Sequence, residues 1–269
     1  MESFLSPEEK RELQLDELRA LRELDRVCRL HGLSYFITAG TLLGAVRHGG
    51  FIPWDDDIDV AMTRKDYKKL SKIAKTALSP GFFWQDGRTD KHYPFAFAKI
   101  RIDGTEVCEP LLAGVQMHKG RYIDIFPLDR CPTSPRPARL MFKLHELLSC
   151  ARVAKDSNGF VCEYKKRSAR AAFSLLRLLP RGALSWLRRA TVAVFGFFSS
   201  GRTIATVSGS HGYPRESYDA KWFEKSTALS FEGERYPAPE GYRELLTRMY
   251  GDYMTPPPED EQAGHFRRE

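Results

Sequence analysis

The sequence contains no apolar run long enough to cross a bilayer. A spanning helix takes about 20 consecutive apolar residues, and the best candidate, residues 191–198, is far shorter and is broken by Gly196. Cysteine is scarce. Cys28, Cys108, Cys131, Cys150 and Cys162 are odd in number and widely spaced, which argues against both a disulfide framework and a zinc knuckle. Residues 1–10 are acidic and polar and lack the basic start and apolar stretch of a secretory leader, so the expected location is cytoplasmic. There is no internal repeat and no low-complexity tract. What is present is ordinary for a globular protein: 269 residues, 42% hydrophobic, 12% aromatic and 29% charged. That composition suits one large domain, or a core with an appendage.

The net charge of +7 points to an acidic partner such as a nucleotide, a phosphorylated polymer or a membrane surface. It is unevenly spread: residues 136–202 carry 14 basic side chains against 3 acidic ones, and the rest of the chain is net acidic. Two kinds of surface are therefore expected.

Local patterns divide the chain. Ser6-Pro7-Glu8-Glu9 offers a capping serine, a proline at the first helical position and a glutamate placed to reach back to the cap. A helix is predicted from there to Gly32, with Leu13, Leu18, Leu21, Leu24 and Cys28 as its apolar stripe. Residues 33–38 read as a strand, Gly40-Thr41 opens a brief helix, and Arg47-His48-Gly49-Gly50 turns the chain. Residues 55–62 alternate, with Asp57 and Asp59 on one face and Ile58 and Val60 on the other, which predicts a strand with one wet face. Thr63 and Asp66 cap a further helix, and residues 95–102 and 121–126 read as strands. Cys131-Pro132-Thr133-Ser134-Pro135-Arg136-Pro137 is a breaker-rich linker. The expected organisation is a core over residues 1–131, a basic helical insert over 132–200 interrupted at Asn158-Gly159 and at Pro180, and a segment over 201–269 that packs back on the core.

The least ordinary feature is Trp54-Asp55-Asp56-Asp57-Ile58-Asp59, four aspartates in five positions. Carboxylates a few ångströms apart repel unless a cation lies between them. Hard oxygen donors of this kind suit Mg²⁺ or Mn²⁺, which in turn favour phosphate oxygens. A helix–loop–helix calcium site is excluded, because that pattern wants glycine where Val60 stands and glutamate where Asp66 stands. Upstream, Gly40-Thr41 precedes a helix start, where backbone N–H groups and the helix dipole favour an anion. Together the two segments suggest phosphates held at the glycine turn and a metal held at the aspartates.

The run Gly40-Thr41-Leu42-Leu43-Gly44-Ala45-Val46-Arg47-His48-Gly49-Gly50-Phe51-Ile52-Pro53-Trp54-Asp55-Asp56-Asp57-Ile58-Asp59-Val60 resembles the signature of the LicD family, bacterial phosphocholine transferases related to fukutin-type ribitol phosphate transferases. Tyr122-Ile123-Asp124-Ile125-Phe126-Pro127-Leu128-Asp129, Phe231-Glu232-Gly233, Pro237-Ala238-Pro239 and Tyr250-Gly251-Asp252-Tyr253-Met254 are similar to further segments of that family. The resemblance leaves out the basic insert. It implies an α+β fold of the nucleotidyltransferase-like kind, a mixed β-sheet flanked by helices. It also implies metal-dependent transfer of a phosphocholine-like phospho-alcohol from a CDP-activated donor to a hydroxyl of a cell-surface glycan, a lipid-linked glycan or a teichoic-acid-like polymer.

By position the resemblance makes Asp57 and Asp59 metal ligands and catalytic residues, and Asp124 a third ligand or base. Asp124 also has its own case, since Ile123 and Ile125 flank it in an alternating strand. Asp55 is a supporting metal-site carboxylate. Gly40, Thr41, Arg47 and His48 are candidates for donor phosphates, as are Lys99 and Arg101, which share one strand face. Arg47 has the alternative of pairing with the acid cluster. His211 and His265, lone histidines in loops, read as solvent-facing, and the aromatic segment at residues 250–254 reads as a lock of the tail on the core. In the insert, Arg170, Arg177, Arg181, Arg188 and Arg189 interleave with leucines, Phe173 and Trp186. Such helices either lie on an anionic membrane face or pack on the core with a solvated basic side. Two other functions remain open: a nucleotidyltransferase that moves a nucleoside monophosphate onto a small alcohol or sugar, and a non-catalytic polyanion or membrane binder. Nucleic acid is not an expected partner, because a polyanion binder gains nothing from carboxylates grouped on one edge.

Overall fold

The computed structural model describes residues 5–112, 114–157, 167–258 and 262. Helix α1 (Pro7–His31) begins at the expected capping box: Ser6 Oγ accepts from the Glu9 amide at 3.2 Å and Glu9 Oε2 accepts from the Ser6 amide at 2.7 Å. It ends where Gly32 takes the left-handed conformation. Strand β1 (Phe36–Ile37) leads into helix α2 (Ala39–Arg47), and strand β2 (Asp59–Thr63) into helix α3 (Arg64–Ala77), which Thr63 caps through the Asp66 amide. Strands β3 (Phe82–Gln85), β4 (Ala98–Ile102) and β5 (Tyr122–Cys131) complete the centre of the sheet.

The sheet is mixed. Its order is β1-β2-β5-β4-β3, with β5 parallel to β2 and antiparallel to β4. Period-two alternation along β5 sends Ile123 and Ile125, both fully buried, to one face, and Tyr122, Asp124 and Phe126 to the other. Helix α3 lies on the isoleucine face, where Tyr67 meets Trp84, the register partner of Ile100. Leu13 of α1 packs on Tyr122 of the opposite face.

The strand expected over residues 55–62 begins only at Asp59. The reason is the absence of anything to pair with: β1 is two residues long, and the ladder with β5 opens at the bond from the Asp124 amide to the Ile58 carbonyl. Residues 55–58 instead leave a turn, in which the Asp55 amide donates to the Ile52 carbonyl at 2.9 Å.

Beyond β5 come helices α4 (Pro135–Val153), α5 (Arg167–Leu176) and α6 (Arg181–Phe197). The expected break at Asn158-Gly159 lies outside the described residues. Two buried arginines fasten this helical layer to the loop before β4: Arg152 donates to the carbonyls of Lys91 and Tyr93 at 3.0 and 3.1 Å, and Arg188 to that of Pro94 at 2.7 Å. The chain then returns to the sheet, where β6 (Thr203–Ala205) pairs with the far end of β5 and β7 (Ser217–Asp219) pairs with β6. A hairpin of β8 (Ser226–Phe231) and β9 (Glu234–Pro239) and helix α7 (Tyr242–Tyr250) finish the fold. Arg22 reaches Glu234 at 2.6 Å and Arg11 reaches Glu232 at 2.8 Å, joining this hairpin to α1.

One glycine in α2 sets the path of the loop toward the acid cluster. A Cβ on Gly44 would stand 2.4 Å from the Gly50 carbonyl oxygen and 3.3 Å from the Ile52 amide, both backbone atoms. Gly44→Ala is therefore expected to destabilise the protein by about 1–3 kcal/mol through overpacking. An unchanged urea midpoint would contradict this close approach.

Candidate active site

Strand register places one row of polar side chains across the sheet. Asp59 of β2 lies opposite Asp124 of β5, Asp124 opposite Lys99 of β4, and Lys99 opposite Gln85 of β3. Lys99, only 2% exposed, holds its ammonium 2.8 Å from Asp124 Oδ1, 3.4 Å from Glu109 Oε2 and over the Tyr122 ring. Arg101, fully buried, donates to Gln85 Oε1 at 2.6 Å, to the Gly120 carbonyl at 2.8 Å and to Glu109 Oε1 at 2.5 Å. Both cations are thus engaged inside the protein, beside the cleft rather than in its wall.

That cleft encloses about 520 Å³ where the first turn of α2 meets the start of β2. Asp55, Asp57 and Asp59 line it together with Ala39, Gly40 and Arg47. The opposite wall comes from later in the chain: Phe126, the loop after β6 at Thr206 and Gly209-Ser210-His211, and Tyr250, Asp252 and Tyr253 at the end of α7. Gly40 has a local reason to lack a side chain, since its Cβ would fall 2.4 Å from Asp55 Oδ2. Ala39 takes a positive φ of 47°, a strained state for alanine, on the cleft wall. Thr41 is buried, and its Oγ1 accepts from the Asp59 amide at 2.8 Å, so it fixes the first residue of β2.

Arg47 donates through Nε to His48 Nε2 at 2.9 Å and through Nη1 to the Tyr253 carbonyl at 3.1 Å, with its guanidinium over the Trp54 ring. His48 itself stays outside the cleft lining, against Trp54. The terminal segment read as a lock does pack on the core, yet it also supplies Tyr250, Asp252 and Tyr253 to the cleft. His211 differs from its expected solvent-facing place: it lines the cleft edge-on to Tyr250, with ring centroids 5.3 Å apart. Buried Glu216 sets that loop by accepting from the amides of His211 and Gly212, each at 3.1 Å. His265 lies outside the described residues.

The electrostatics of the site are dominated by like charge in a dry place. Burial, then Asp57, Asp124 and Asp55, hold the Asp59 carboxyl well above the usual carboxylate range. Burial pushes Asp124 up to about 6 even though Lys99 pulls it back. Tyr250 is raised by burial and then by Asp59, Asp55 and Asp57. Glu17 on α1 is the residue that sequence reasoning missed. It is fully buried, neither carboxyl oxygen has a hydrogen-bond partner, and burial followed by Asp57, Asp56, Asp55 and Asp124 holds it well above its ordinary value. The signal was present in the spacing, since Glu17 stands four residues from both Leu13 and Leu21 on an otherwise apolar stripe. Among the described residues no three His, Cys, Asp or Glu side chains form a ready-made metal cage. Of the aspartate run, Asp55, Asp57 and Asp59 are the carboxylates that line the cleft.

The chain is similar to known proteins. The family model described as LicD/FKTN/FKRP, nucleotidyltransferase domain, matches residues 32–130, the stretch that contains α2, the aspartates and most of β5. Along nearly its whole length the chain is similar to the lipopolysaccharide cholinephosphotransferase LicD of Haemophilus influenzae, 30% identical with 96% of each chain covered. A shorter stretch is 36% identical to the ribitol 5-phosphate transferase FKRP of human and mouse, covering 25% of this chain and 16% of those proteins.

The buried carboxyl of Glu17 makes a prediction with a definite sign. An unfolded chain ionises this group above about pH 4.3 while the folded protein resists, so its effect on stability worsens as pH rises from there. In metal-free buffer, Glu17→Gln removes that penalty. Its urea midpoint should exceed the parent's by more at about pH 8 than at about pH 5, and an equal difference at both would contradict the assignment.

Proposed function

The chain belongs to the LicD family, and we propose that its cleft transfers a phosphocholine-like group from a CDP-activated donor to a hydroxyl of a cell-surface glycan, lipopolysaccharide among the candidates. The observation that carries the reading is the meeting, in one cleft, of the Asp57–Asp59 pair, the first turn of α2 and a set of aromatic side chains. Each element suits one part of such a donor. Tyr250 and Tyr253 bring aromatic rings to the cleft that suit a quaternary ammonium. The uncapped N-terminal turn of α2, at Ala39 and Gly40, and the Arg47 guanidinium suit a diphosphate.

Asp57 and Asp59 fit Mg²⁺ or Mn²⁺ as resident cation: they are hard oxygen donors, and two carboxylates completed by substrate phosphates are a usual Mg²⁺ set. When bound, such an ion supplies charge neutralisation at the diphosphate and at the departing CMP. Within the protein, Thr41 holds Asp59 at the cleft through its backbone amide. Asp124 stands behind Asp59 in register, and Lys99 balances its charge. Arg47, tethered to the Tyr253 carbonyl, joins the donor end of the cleft to the tail that covers it.

The reading predicts the products. Incubation with CDP-choline, Mg²⁺ and a glycan acceptor should release CMP, and Asp57→Asn or Asp59→Asn should lower kcat by about 10²-fold or more. Tyr253→Leu should raise KM for CDP-choline by about tenfold through loss of a ring for the cation. Release of pyrophosphate from CTP instead of CMP from CDP-choline would identify a nucleotidyltransferase and overturn the proposal.

A further inference from the structure

Helix α6 is apolar on two faces: Leu184, Leu187, Val192 and Phe195 pack inward, and a second set points out. Trp186, Arg189, Ala193 and Phe197 follow one another at three- and four-residue steps with Val194 beside them, and all five are exposed, whereas Leu184, Arg188 and Gly196 of the same helix are buried. Phe197 and Phe198 at its end are each 81% exposed and meet edge to face. At the corner that joins α5 to α6, Leu175 and Leu178 are 66% and 78% exposed. Six of the twelve exposed large apolar side chains among the described residues thus fall within residues 175–198. Apolar side chains scattered singly need no explanation, but a concentration of this kind marks a contact surface.

The charge around the stripe decides what it contacts. Residues 167–198 contain no aspartate or glutamate, and Arg170, Arg177 and Arg189 are exposed beside the leucines and aromatics. A second copy of this chain would bring the same positive surface and be repelled. A nucleic acid would use the arginines and stack on rings, yet it gives nothing to Leu175, Leu178 and Val194. An anionic bilayer uses all three kinds of side chain: arginines at lipid phosphates, tryptophan at the headgroup level, and leucine and phenylalanine at the acyl boundary.

We propose that α6, with the corner joining it to α5, docks the protein flat on an anionic lipid surface without crossing it. No helix among the described residues is long and apolar enough to span a membrane. The end of α6 leads through β6 directly to Thr206 and the loop at Gly209-Ser210-His211 in the cleft wall. A lipid-linked acceptor resides at such a surface, which would give the docking a purpose; this last clause alone rests on the transferase reading.

Sedimentation of the full chain with vesicles needs neither donor nor acceptor, so it fails or succeeds independently of the enzyme assay. The protein should pellet with phosphatidylcholine vesicles that contain phosphatidylglycerol, pellet far less with phosphatidylcholine alone, and be released by salt. The triple variant Trp186→Ser, Phe197→Ser, Phe198→Ser should bind at least about tenfold more weakly, and Arg177→Glu with Arg189→Glu about fivefold more weakly for each arginine. All five positions are exposed, so circular dichroism and the urea midpoint should stay at the parental values. Parental vesicle binding by both variants would overturn the proposal. So would tight binding to heparin or DNA that the triple variant keeps, or a parental dimer in sedimentation equilibrium that the triple variant loses.

Discussion

Asp59, half-buried at the cleft, and Asp124, buried behind it, stand in register across a parallel strand pair, and two such carboxylates repel unless positive charge is brought to them. Much of the core around the site answers that constraint. On one side the answer is internal: Lys99, almost wholly buried, stands against Asp124 and shares Glu109 with Arg101. Burial alone would push Glu109 up, yet Lys99 and Arg101 outweigh it and leave that carboxyl below its ordinary value. On the other side, Asp57 and Asp59 line the open cleft together with Arg47; under the proposed function a cation that enters with the donor would meet them there.

This division explains why two cations on one strand face do different work from the cleft's own arginine. Lys99 and Arg101 belong to the interior half of the charge balance, and a substrate phosphate would have to displace carboxylates to reach them. Arg47 sits on the open half, and its tether to the Tyr253 carbonyl links a residue near the start of the fold to one near its end. The cleft is therefore a product of long-range closure. Its floor comes from residues 38–59, and its far wall comes from the loop after β6 and the end of α7, both supplied only after the helical insert has been traversed.

That closure sets how much could be read from the sequence. Local chemistry was legible: the capping box of α1, the glycine stop at Gly32 and the Thr63 cap each occur where the residues imply them. The alternation of Asp57 and Asp59 with Ile58 and Val60 correctly separated wet from dry faces, although the strand itself waits for a partner at Asp59. The family was legible because its longest motif is continuous. What stayed hidden depends on contacts far apart in the chain. His211 enters the cleft because Glu216 gathers the amides of its loop, and Tyr250 because α7 packs back beside α2. Lys99 looked like a phosphate contact because its counterion, Glu109, comes from a loop that no local pattern aims at it.

Under the proposed function, the open half of this charge balance is completed by a cation and a diphosphate together. Isothermal titration of the metal-free protein with CDP-choline, with and without added Mg²⁺, for the parent and for Asp59→Asn, tests it directly. Binding should require Mg²⁺ in the parent and lose that requirement, along with most of its affinity, in the variant. Binding of equal strength with and without Mg²⁺, unchanged by Asp59→Asn, would contradict it.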